Sequence, residues 1–389
     1  MSGRIIITAL CMLLRLSRIY FTSSFKQSPN FRSKTYISKK GNNFSYKLSM
    51  EALVAAPKSF IDFPFAYHQE LTLHVDDLTN LGSGVARHTL EDGSNWVVMV
   101  PLALPGETVR VKIFRNYKSY SEADLMEVVV PSPDRVKPQC EFFEICGGCQ
   151  YQHLSVSAQR RWKKTQVATL LKRIGGIGEE LVKVNEVIGT GEHYRYRTKI
   201  TPHYDAPRKV EELKIGFQKR GTRIMVDIPQ CIIATDAINA KYAETRSSLR
   251  DAFAVKVPKK GATLLFRECE EGVATDHRVM ISQRVNEVLF RFKAGEFFQN
   301  NHYVLPLMVN HVISQAAGHG CIHLIDAYCG SGLFSLCASK VFTSVTGVEV
   351  SELAVVAARN SAKENNITNA QFFASSVKTY TFFSLPIRV

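Results

Sequence analysis

A short glycine-rich segment near the carboxyl end of the chain carries the residues best suited to bind a small charged ligand. The apolar run Ile322–Ile325 predicts a buried strand, and the carboxylate of Asp326 follows it directly. Gly330 and Gly332 come next, before an apolar helix predicted over residues 333–341. A strand, a glycine turn and a helix in this order place backbone N–H groups and a helix start against a nucleotide-like ligand.

The details of this turn favour S-adenosylmethionine over a dinucleotide. A dinucleotide-binding turn would carry its third glycine at position 335, where this chain has Ser335. The carboxylate of Asp326 also suits a cationic ligand better than a pyrophosphate, and S-adenosylmethionine carries a sulfonium, an amino group and no phosphate. A second predicted strand over residues 344–350 contains Glu349, 19 residues after Gly330, whose carboxylate can accept both hydroxyls of a ribose. The alternative is any doubly wound α/β domain with a glycine turn.

Three cysteines form a second candidate site. Five residues separate Cys140 from Cys146, two separate Cys146 from Cys149, and Gly147 and Gly148 let the backbone turn tightly between the last two. Thiolates are soft ligands, so this pattern predicts zinc or an iron–sulfur cluster rather than magnesium.

Such a site needs a fourth ligand, and two residues are candidates. Cys231 follows a predicted strand and lies outside any apolar period, while His153 is the alternative. Most of the other cysteines stand in apolar surroundings, which is typical of inert core thiols.

The elements around these sites begin with a predicted small β-barrel. Residues 71–130 contain about five short runs with strand periodicity, separated by turns that contain glycine. A barrel of the oligonucleotide-binding type fits that pattern. One flank would hold a single-stranded nucleic acid by charge and stacking, and a solvated face is an equal alternative. The residues of this flank are Arg110, Lys112, Arg115, Tyr117, Lys118 and Tyr120.

A basic amphipathic helix is predicted over residues 155–174. Its apolar stripe would consist of Val167, Leu170, Leu171 and Ile174, and a pair of glycines would end it. Cations occupy the other faces, which usually indicates a solvated surface and less often an RNA contact.

Positive charge is spread unevenly along the chain. The net charge is +14, and residues 1–50 hold nine Lys or Arg and no acid, which leaves +5 for the remainder. This mildly basic balance is compatible with a polyanion such as RNA. We expect Arg195, Arg197 and Lys199, on exposed positions of a predicted strand, to contact that substrate.

Residues 1–50 have the composition of an organelle transit peptide, being rich in Arg, Lys and Ser and free of acids. We therefore expect a chloroplast or mitochondrial location, with the cytoplasm or nucleus as the alternative. Arg15 and Arg18 stand where a secretory signal would carry a small-residue cleavage site. The apolar run Ile5–Leu14 is too short to span a bilayer, and no membrane partner is expected.

Four segments in this order resemble the RNA uracil-5-methyltransferases. They are the cysteine motif that begins at Cys140, the later Cys231, the Gly-Glu-Phe-Phe-Gln-Asn-Asn segment of residues 295–301, and the glycine turn of residues 326–332. The resemblance runs from about residue 66 to residue 375. Members of this family have an N-terminal TRAM domain, and one branch carries a 4Fe-4S cluster.

The resemblance implies that the cofactors are S-adenosylmethionine and a 4Fe-4S cluster and that the substrate is tRNA or rRNA. It places Phe297 near the target base and Gln299, Tyr328 and Glu349 against S-adenosylmethionine. Asp326, Gly330 and Gly332 would complete that site. The cluster ligands that it implies are Cys140, Cys146, Cys149 and Cys231.

The same resemblance says what the chemistry needs. In this family a cysteine thiolate adds to C6 of uracil, which makes C5 nucleophilic, and a base then removes the C5 proton. These residues lie after the fourth strand of the family's sheet, in motifs that include an Asp-Pro-Pro-Arg loop. After Ala374 this chain contains no acid and no cysteine. We therefore expect the nucleophilic cysteine to lie beyond Val389 and this form to transfer little or no methyl group.

The expected architecture is a multidomain α/β and β protein that is C-terminally truncated. A transit peptide (1–50) and a linker (51–65) precede an OB-like TRAM barrel (66–131), a central α+β domain with the cysteines (132–293) and a partial Rossmann-like methyltransferase domain (294–389). The last sheet would contain strands in the order 3-2-1, which leaves strand 1 as a bare edge. A complete chain would be a monomer.

Two other functions compete with methyl transfer. A non-catalytic RNA-binding iron–sulfur protein would keep the barrel and the cysteines without turnover. An iron–sulfur electron carrier or redox sensor is the weaker candidate, because a carrier needs neither an RNA-like barrel nor a cofactor turn.

Overall fold

The computed structural model describes residues 5–8, 57, 59–318 and 320–379. These residues form a closed barrel, a central region of small antiparallel sheets, and a parallel sheet with helices packed against it. This agrees with the predicted β and α/β architecture.

The barrel consists of five strands in the order β2-β3-β4-β6-β5, and its neighbouring strands pair partly in antiparallel and partly in parallel fashion. Alternate residues of each strand point inward, and Val109, Val111 and Ile113 of β5 are completely buried. The predicted barrel is therefore confirmed. Its strands are β2 Glu70–Leu78, β3 Ser83–Thr89, β4 Asn95–Pro101, β5 Thr108–Asn116 and β6 Tyr120–Val130.

A buried ion pair joins the barrel to the segment that follows it. Glu107, in the turn before β5, has no exposed surface. Its carboxylate accepts hydrogen bonds from Nε of Arg135 at 2.5 Å, Nη2 of Arg135 at 2.8 Å and the backbone N–H of Leu104 at 2.8 Å. Arg135 in turn forms a β-bridge with Leu154, so the pair links the barrel to the chain around the cysteines.

The predicted basic helix is present as α1, Val156–Arg173, and begins at the N-cap Ser155. Its predicted apolar stripe is wrong in part, because Leu170 and Ile174 are exposed by 44% and 64%. The helix packs instead through Ala158 and Trp162, in a small cluster with residues of the barrel. The spacing of apolar residues along α1 does not by itself indicate which of its helical turns packs against the barrel.

The central region packs several short strands against one long helix, α2. Tyr242 of α2 is completely buried, and its hydroxyl donates to the carbonyls of Ile215 at 3.1 Å and Ile228 at 2.9 Å. The elements are β7 Lys199–Ile200, β8 His203–Tyr204, a 3-10 helix Val210–Glu212, β9 Ile215–Gln218, β10 Met225–Asp227, α2 Asp236–Val255, β11 Ala262–Thr263, β12 Phe266–Cys269 and β13 Gly272–Ala274.

The carboxyl-terminal region contains a β-hairpin, three helices and the parallel sheet. The two strands predicted over residues 322–325 and 344–350 are confirmed to within two residues, while the predicted helix over 333–341 is shorter. The elements are β14 Met280–Val285, β15 Val288–Lys293, α3 Val304–Ala317, β16 His323–Ala327, α4 Leu333–Ala338, β17 Ser344–Glu349, α5 Glu352–Glu364 and β18 Ala370–Ala374.

The expected bare edge of this sheet is not bare. A short strand, β1 Ile5–Thr8, pairs in parallel with β16, with Ile7 opposite Ile325. The sheet order is therefore β1-β16-β17-β18, and the backbone groups of β16 are paired on both sides. The rest of residues 1–50 lies outside the described residues, and organelle targeting stays a prediction.

Among the described helices, none is long and apolar enough to cross a bilayer.

We predict that Glu107→Gln lowers the free energy of unfolding by about 3 kcal/mol at pH 7, because it leaves Arg135 without its buried partner. Burial alone would raise the pKa of Glu107, but the hydrogen bonds from Arg135 and Leu104 hold that pKa below 4.5. The contribution should therefore be present above pH 4.5 and be lost as the pH falls through the lower native pKa. Urea unfolding at pH 7 and pH 3.5 measures both effects.

The matched control is Glu127→Gln, which removes an exposed ion pair with Arg110 and should cost less than about 0.5 kcal/mol. Equal losses in the two variants would contradict the structural role of the buried pair.

Candidate cofactor and RNA site

The glycine turn lies between β16 and α4 and has an unusual backbone. Tyr328 adopts a φ of 71°, and Gly330 and Gly332 have φ of 54° and 85°. A Cβ at Gly332 would also approach the Cβ of Ala358 at 3.1 Å. The positive φ of a tyrosine stores strain, and such residues cluster at ligand sites.

Glu349 faces this turn from the neighbouring strand. Its carboxylate accepts a hydrogen bond from the N–H of Gly330 at 3.2 Å and another from the N–H of Ser351 at 2.9 Å. The N–H groups of Tyr328 and Cys329 both donate to the carbonyl of Val348. The structure therefore brings the turn and the predicted ribose-binding carboxylate together at the carboxyl end of the sheet.

The negative charge of Asp326 predicted a side chain that faces a cationic ligand, but the structure shows a different arrangement. Its side chain is buried, and Oδ2 accepts from the hydroxyl of Ser335 at 2.7 Å and the N–H of Ser335 at 3.1 Å. Burial raises the pKa of Asp326 to about 6, although the hydrogen bonds from Ser335 act in the opposite direction. The carboxylate thus holds the start of α4 in place rather than presenting itself to a cation.

The segment 295–301 forms a loop next to the turn. Phe298 is buried and stacks on Phe292, with ring centroids 4.6 Å apart. Phe298, Cys329 and Leu333 belong to one hydrophobic core, which the loop and the glycine turn therefore share. Its neighbour Phe297 is 77% exposed. Gln299 is half-buried in the same loop.

Two of the three predicted substrate-binding residues contact this loop, Lys199 through its ammonium group and Arg197 through its backbone. Nζ of Lys199 donates to the carbonyls of Gly295 at 3.0 Å and Glu296 at 3.3 Å. Arg197 forms a β-bridge with Asn301. Arg195 instead makes an exposed ion pair with Asp236 at 2.5 Å, away from those contacts.

The four cysteines proposed as ligands line one cavity of about 1240 Å³. Arg197, Lys219 and Arg223 also line it, and none of the described residues in its wall is acidic. The cavity reaches the barrel, because Arg115 and Tyr117 contribute to its wall. An anionic group would find a favourable potential there.

The backbone around the first three cysteines is fixed by the hairpin of β9 and β10. The N–H of Gly147 donates to the carbonyl of Gln218 at 3.0 Å, and a Cβ at Gly147 would approach that oxygen at 3.2 Å. Nη2 of Arg220 donates to the carbonyl of Cys149 at 2.8 Å. Cys231 is held separately by Asn239 of α2, which bonds both its N–H and its carbonyl at 3.0 Å.

Burial makes the four thiols of this cavity weaker acids than an exposed cysteine. Burial raises the pKa of Cys140, Cys146 and Cys149, and raises the pKa of Cys231 to about 11. In the described part of the chain, no three His, Cys, Asp or Glu side chains converge as ligands of a single ion. A cuboidal cluster differs from such a site, because its four thiolates bind four different irons.

His153, the alternative fourth ligand, does not line this cavity. Its ring is buried 5.0 Å from the ring of Phe143, and burial lowers its pKa to about 4. Cys231 is therefore the residue that the fold brings to the other three cysteines.

The predicted RNA flank of the barrel is only partly available. Arg110 is paired with Glu70 and Glu127, and Lys112 is paired with Glu70. Tyr117 and Tyr120 stack on each other with centroids 4.4 Å apart. On α1, two of the cations are likewise neutralised, Arg161 by Asp134 and Lys164 by Glu186. The solvated-face interpretation holds for these paired cations.

Comparison with known proteins identifies the family. The family profile described as tRNA (uracil-5-)-methyltransferase matches residues 268–383, and the TRAM domain profile matches residues 68–126. The tRNA (uracil(54)-C(5))-methyltransferase of Schizosaccharomyces pombe is 35% identical over 364 residues, covering 89% of this chain and 68% of that protein. The chain belongs to the tRNA (uracil-5-)-methyltransferase family. Its barrel is a TRAM domain.

Two further comparisons extend this result. The enzyme of the same name from Saccharomyces cerevisiae is 31% identical and covers 82% of this chain, which spans 62% of that protein's length. The crystal structure of Pyrococcus abyssi tRNA (uracil-54, C5)-methyltransferase in complex with S-adenosyl-L-homocysteine matches with a TM-score of 0.57 and 19% identity, covering 79% of this chain and 80% of that one. At this identity the match shows the fold, and it agrees with the predicted methyltransferase domain.

Sequence reasoning missed two residues of the site. Ser335 was noted only as the absence of a glycine, although its hydroxyl is the partner of Asp326. Arg267 lies in the short strand β12 and is completely buried next to the loop that carries Phe297. An arginine beside a glutamate in a short strand is a weak signal, because strand periodicity does not say which neighbour it meets.

We predict that the contribution of Asp326 to the stability of the wild-type protein falls by up to about 3 kcal/mol as the pH rises from about 4 to 6. The native carboxyl has a pKa of about 6, above its ordinary value of 3.8, so the native state holds the proton more tightly than the unfolded chain. Asp326→Asn should lack this part of the fall in urea unfolding. Ser335→Ala should extend it to higher pH, and parallel profiles for all three proteins would contradict the assignment.

Proposed function

We propose that this protein is an S-adenosylmethionine-dependent RNA uracil-5-methyltransferase that acts on tRNA. The observation that carries the proposal is the exposed Phe297 on a loop that shares its hydrophobic core with the glycine turn. The uracil-54 tRNA specificity in the names of the two fungal relatives supports tRNA as the substrate class. Because the chain spans only about two thirds of their length, its own activity is part of the proposal.

The cofactor half of the site is assigned to the carboxyl end of the parallel sheet. S-adenosylmethionine would supply an electrophilic methyl group on a sulfonium when bound. Glu349 would accept hydrogen bonds from the ribose hydroxyls, since its carboxylate already accepts one from the N–H of Gly330 in the glycine turn. Tyr328, Gly332 and Gln299 would line the rest of this site, while Asp326 fixes the turn from below.

The base-binding half is assigned to the loop. The ring of Phe297 is free of the core and would stack on the target uracil, and Lys199 and Arg197 would place positive charge beside it. The nucleophilic thiol and the base stay unassigned in the described residues. Cys329 and Cys337, the cysteines near the turn, are buried, which raises the pKa of both thiols and makes them poor nucleophiles.

We also propose that Cys140, Cys146, Cys149 and Cys231 hold a 4Fe-4S cluster. Three observations support the fit: the four thiols share one cavity, its described wall has cations and no acid, and the backbone of each segment is fixed by hydrogen bonds. Because the pKa values of these thiols are raised, binding of the cluster would release their protons. Bound there, the cluster would connect the cysteine segment to α2.

The first experiment measures cofactor binding and methyl transfer by residues 1–389. We expect S-adenosylmethionine to bind in calorimetry and Glu349→Gln to weaken it at least about tenfold, because charge-assisted hydrogen bonds are lost. Glu352→Gln, an exposed change on the neighbouring helix, is the matched control and should bind normally. Tritium transfer to tRNA and detection of 5-methyluridine then measure turnover, which Phe297→Ala should abolish with little change in overall tRNA affinity.

The outcomes separate the hypotheses. Formation of 5-methyluridine would support the enzyme and contradict the expectation that this form is inactive. Binding of S-adenosylmethionine and tRNA without transfer would confirm that expectation for this form. Salt-dependent tRNA binding with no affinity for S-adenosylmethionine would overturn the proposed function in favour of a non-catalytic RNA-binding protein.

The second experiment tests the cluster. Anaerobically purified protein should be brown and contain about four irons per chain, and an iron chelator should bleach it. Cys231→Ser should lose most of the iron, whereas Cys269→Ser, whose thiol does not line the cavity, should keep it. Colourless protein with one zinc per chain would overturn the cluster.

A further inference from the structure

Arg267 of β12 is a buried cation that forms no ion pair with an acid among the described residues. It has no exposed surface, and its described hydrogen bonds run from Nη1 to the carbonyls of Ala294 at 3.1 Å and Glu296 at 2.6 Å. Its guanidinium lies 4.9 Å from the centre of the Phe292 ring. Nε and Nη2 have no hydrogen-bond partner within the described residues.

Both carbonyl acceptors belong to the turn that precedes Phe297. The N–H groups of Ala294 and Gly295 donate to the carbonyls of Val279 and His277 at 2.9 Å, so the turn is also held from the opposite side. Lys199 donates to the carbonyls of Gly295 and Glu296. Lys199 of β7 and Arg267 of β12 thus both donate hydrogen bonds to the backbone oxygens immediately before Phe297.

Burying the charges of Arg267 and Lys199 in this arrangement destabilises the fold. Burial lowers the pKa of Arg267 to about 10, and burial, followed by the charges of Arg267 and Arg197, lowers the pKa of Lys199. The buried Arg246 of the central region has the compensation that Arg267 lacks, because it pairs with Asp227 at 3.0 Å. An apolar side chain of similar size in β12 would pack at lower cost, so stability alone does not explain Arg267.

We propose that Arg267, assisted by Lys199, is a positioning residue that fixes the direction in which Phe297 leaves the turn. The charged donors hold successive carbonyls in one orientation, and this sets the path of the next residue. The ring is then aligned for the target base before RNA arrives, which reduces the ordering that binding requires. The inference rests on the proposed role of Phe297 in methyl transfer.

The test is hydrogen–deuterium exchange of the full chain, which needs no turnover. In Arg267→Met, amides of residues 294–301 should exchange at least tenfold faster, which corresponds to about 1.4 kcal/mol of local opening, while β14 keeps its protection. Arg267→Lys should recover part of the protection, because it keeps the charge without the planar fork. Lys199→Gln should give a smaller increase in the same segment.

Arg246→Met is the matched control, since it also removes a buried arginine that binds backbone carbonyls. It should destabilise the central region without changing exchange in residues 294–301. Unchanged exchange of this loop in Arg267→Met, or an equal increase throughout the protein, would overturn the proposal. If Arg267→Met does not fold, the Arg267→Lys and Lys199→Gln proteins decide by the same criterion.

Kinetics provide a second readout if the chain is active. Arg267→Lys should lower kcat about tenfold and leave the KM for tRNA nearly unchanged, because the base is misaligned while the phosphate contacts remain. A rise in KM with unchanged kcat would overturn the positioning role. The exchange result does not depend on turnover, so absence of 5-methyluridine in the wild type would leave the test of Arg267 unaffected.

Discussion

The hydrogen bonds between the carboxylate of Asp326 and Ser335 join the end of β16 to the first turn of α4, and the cofactor site depends on them. They are buried, so each is stronger than its counterpart at the surface and costly to break. Because β16 and α4 are fixed in this way, few backbone conformations allow the intervening turn to connect them. It does so with a strained Tyr328 and a Gly330 whose N–H meets Glu349.

Cations in this protein fall into two groups that differ in their partners. On the barrel and on α1, several arginines and lysines are paired with carboxylates, and their charge is largely cancelled. Lys199 and Arg267 bind backbone carbonyls, and Arg197 lines a cavity whose described wall has no acid. Positive charge that no described carboxylate pairs with therefore lies near the Phe297 loop and the cysteines, which a count of basic residues along the chain does not reveal.

The sequence predicted what depends on local pattern. The glycine turn, Glu349 and the three neighbouring cysteines are spaced by a few residues or by one βαβ repeat, and the structure brings each set together. It did not predict Arg267, because the partners of that residue come from a turn distant in the sequence, nor the buried role of Asp326. The exposed stripe of α1 has the same cause, since helix periodicity gives a face but not the neighbour that covers it.

The cysteine cavity has a consequence for how the molecule responds to oxygen. Residues 140–149 follow the barrel directly, whereas Cys231 is fixed to α2 much later in the chain. A cluster bound to all four would act as a cross-link that closes a long loop and restricts the unfolded chain. Loss of this proposed cluster by oxidation would weaken the attachment of the barrel to the central region, while the hydrogen bonds around Glu349 stayed intact. Binding of RNA would then be lost before binding of the methyl donor.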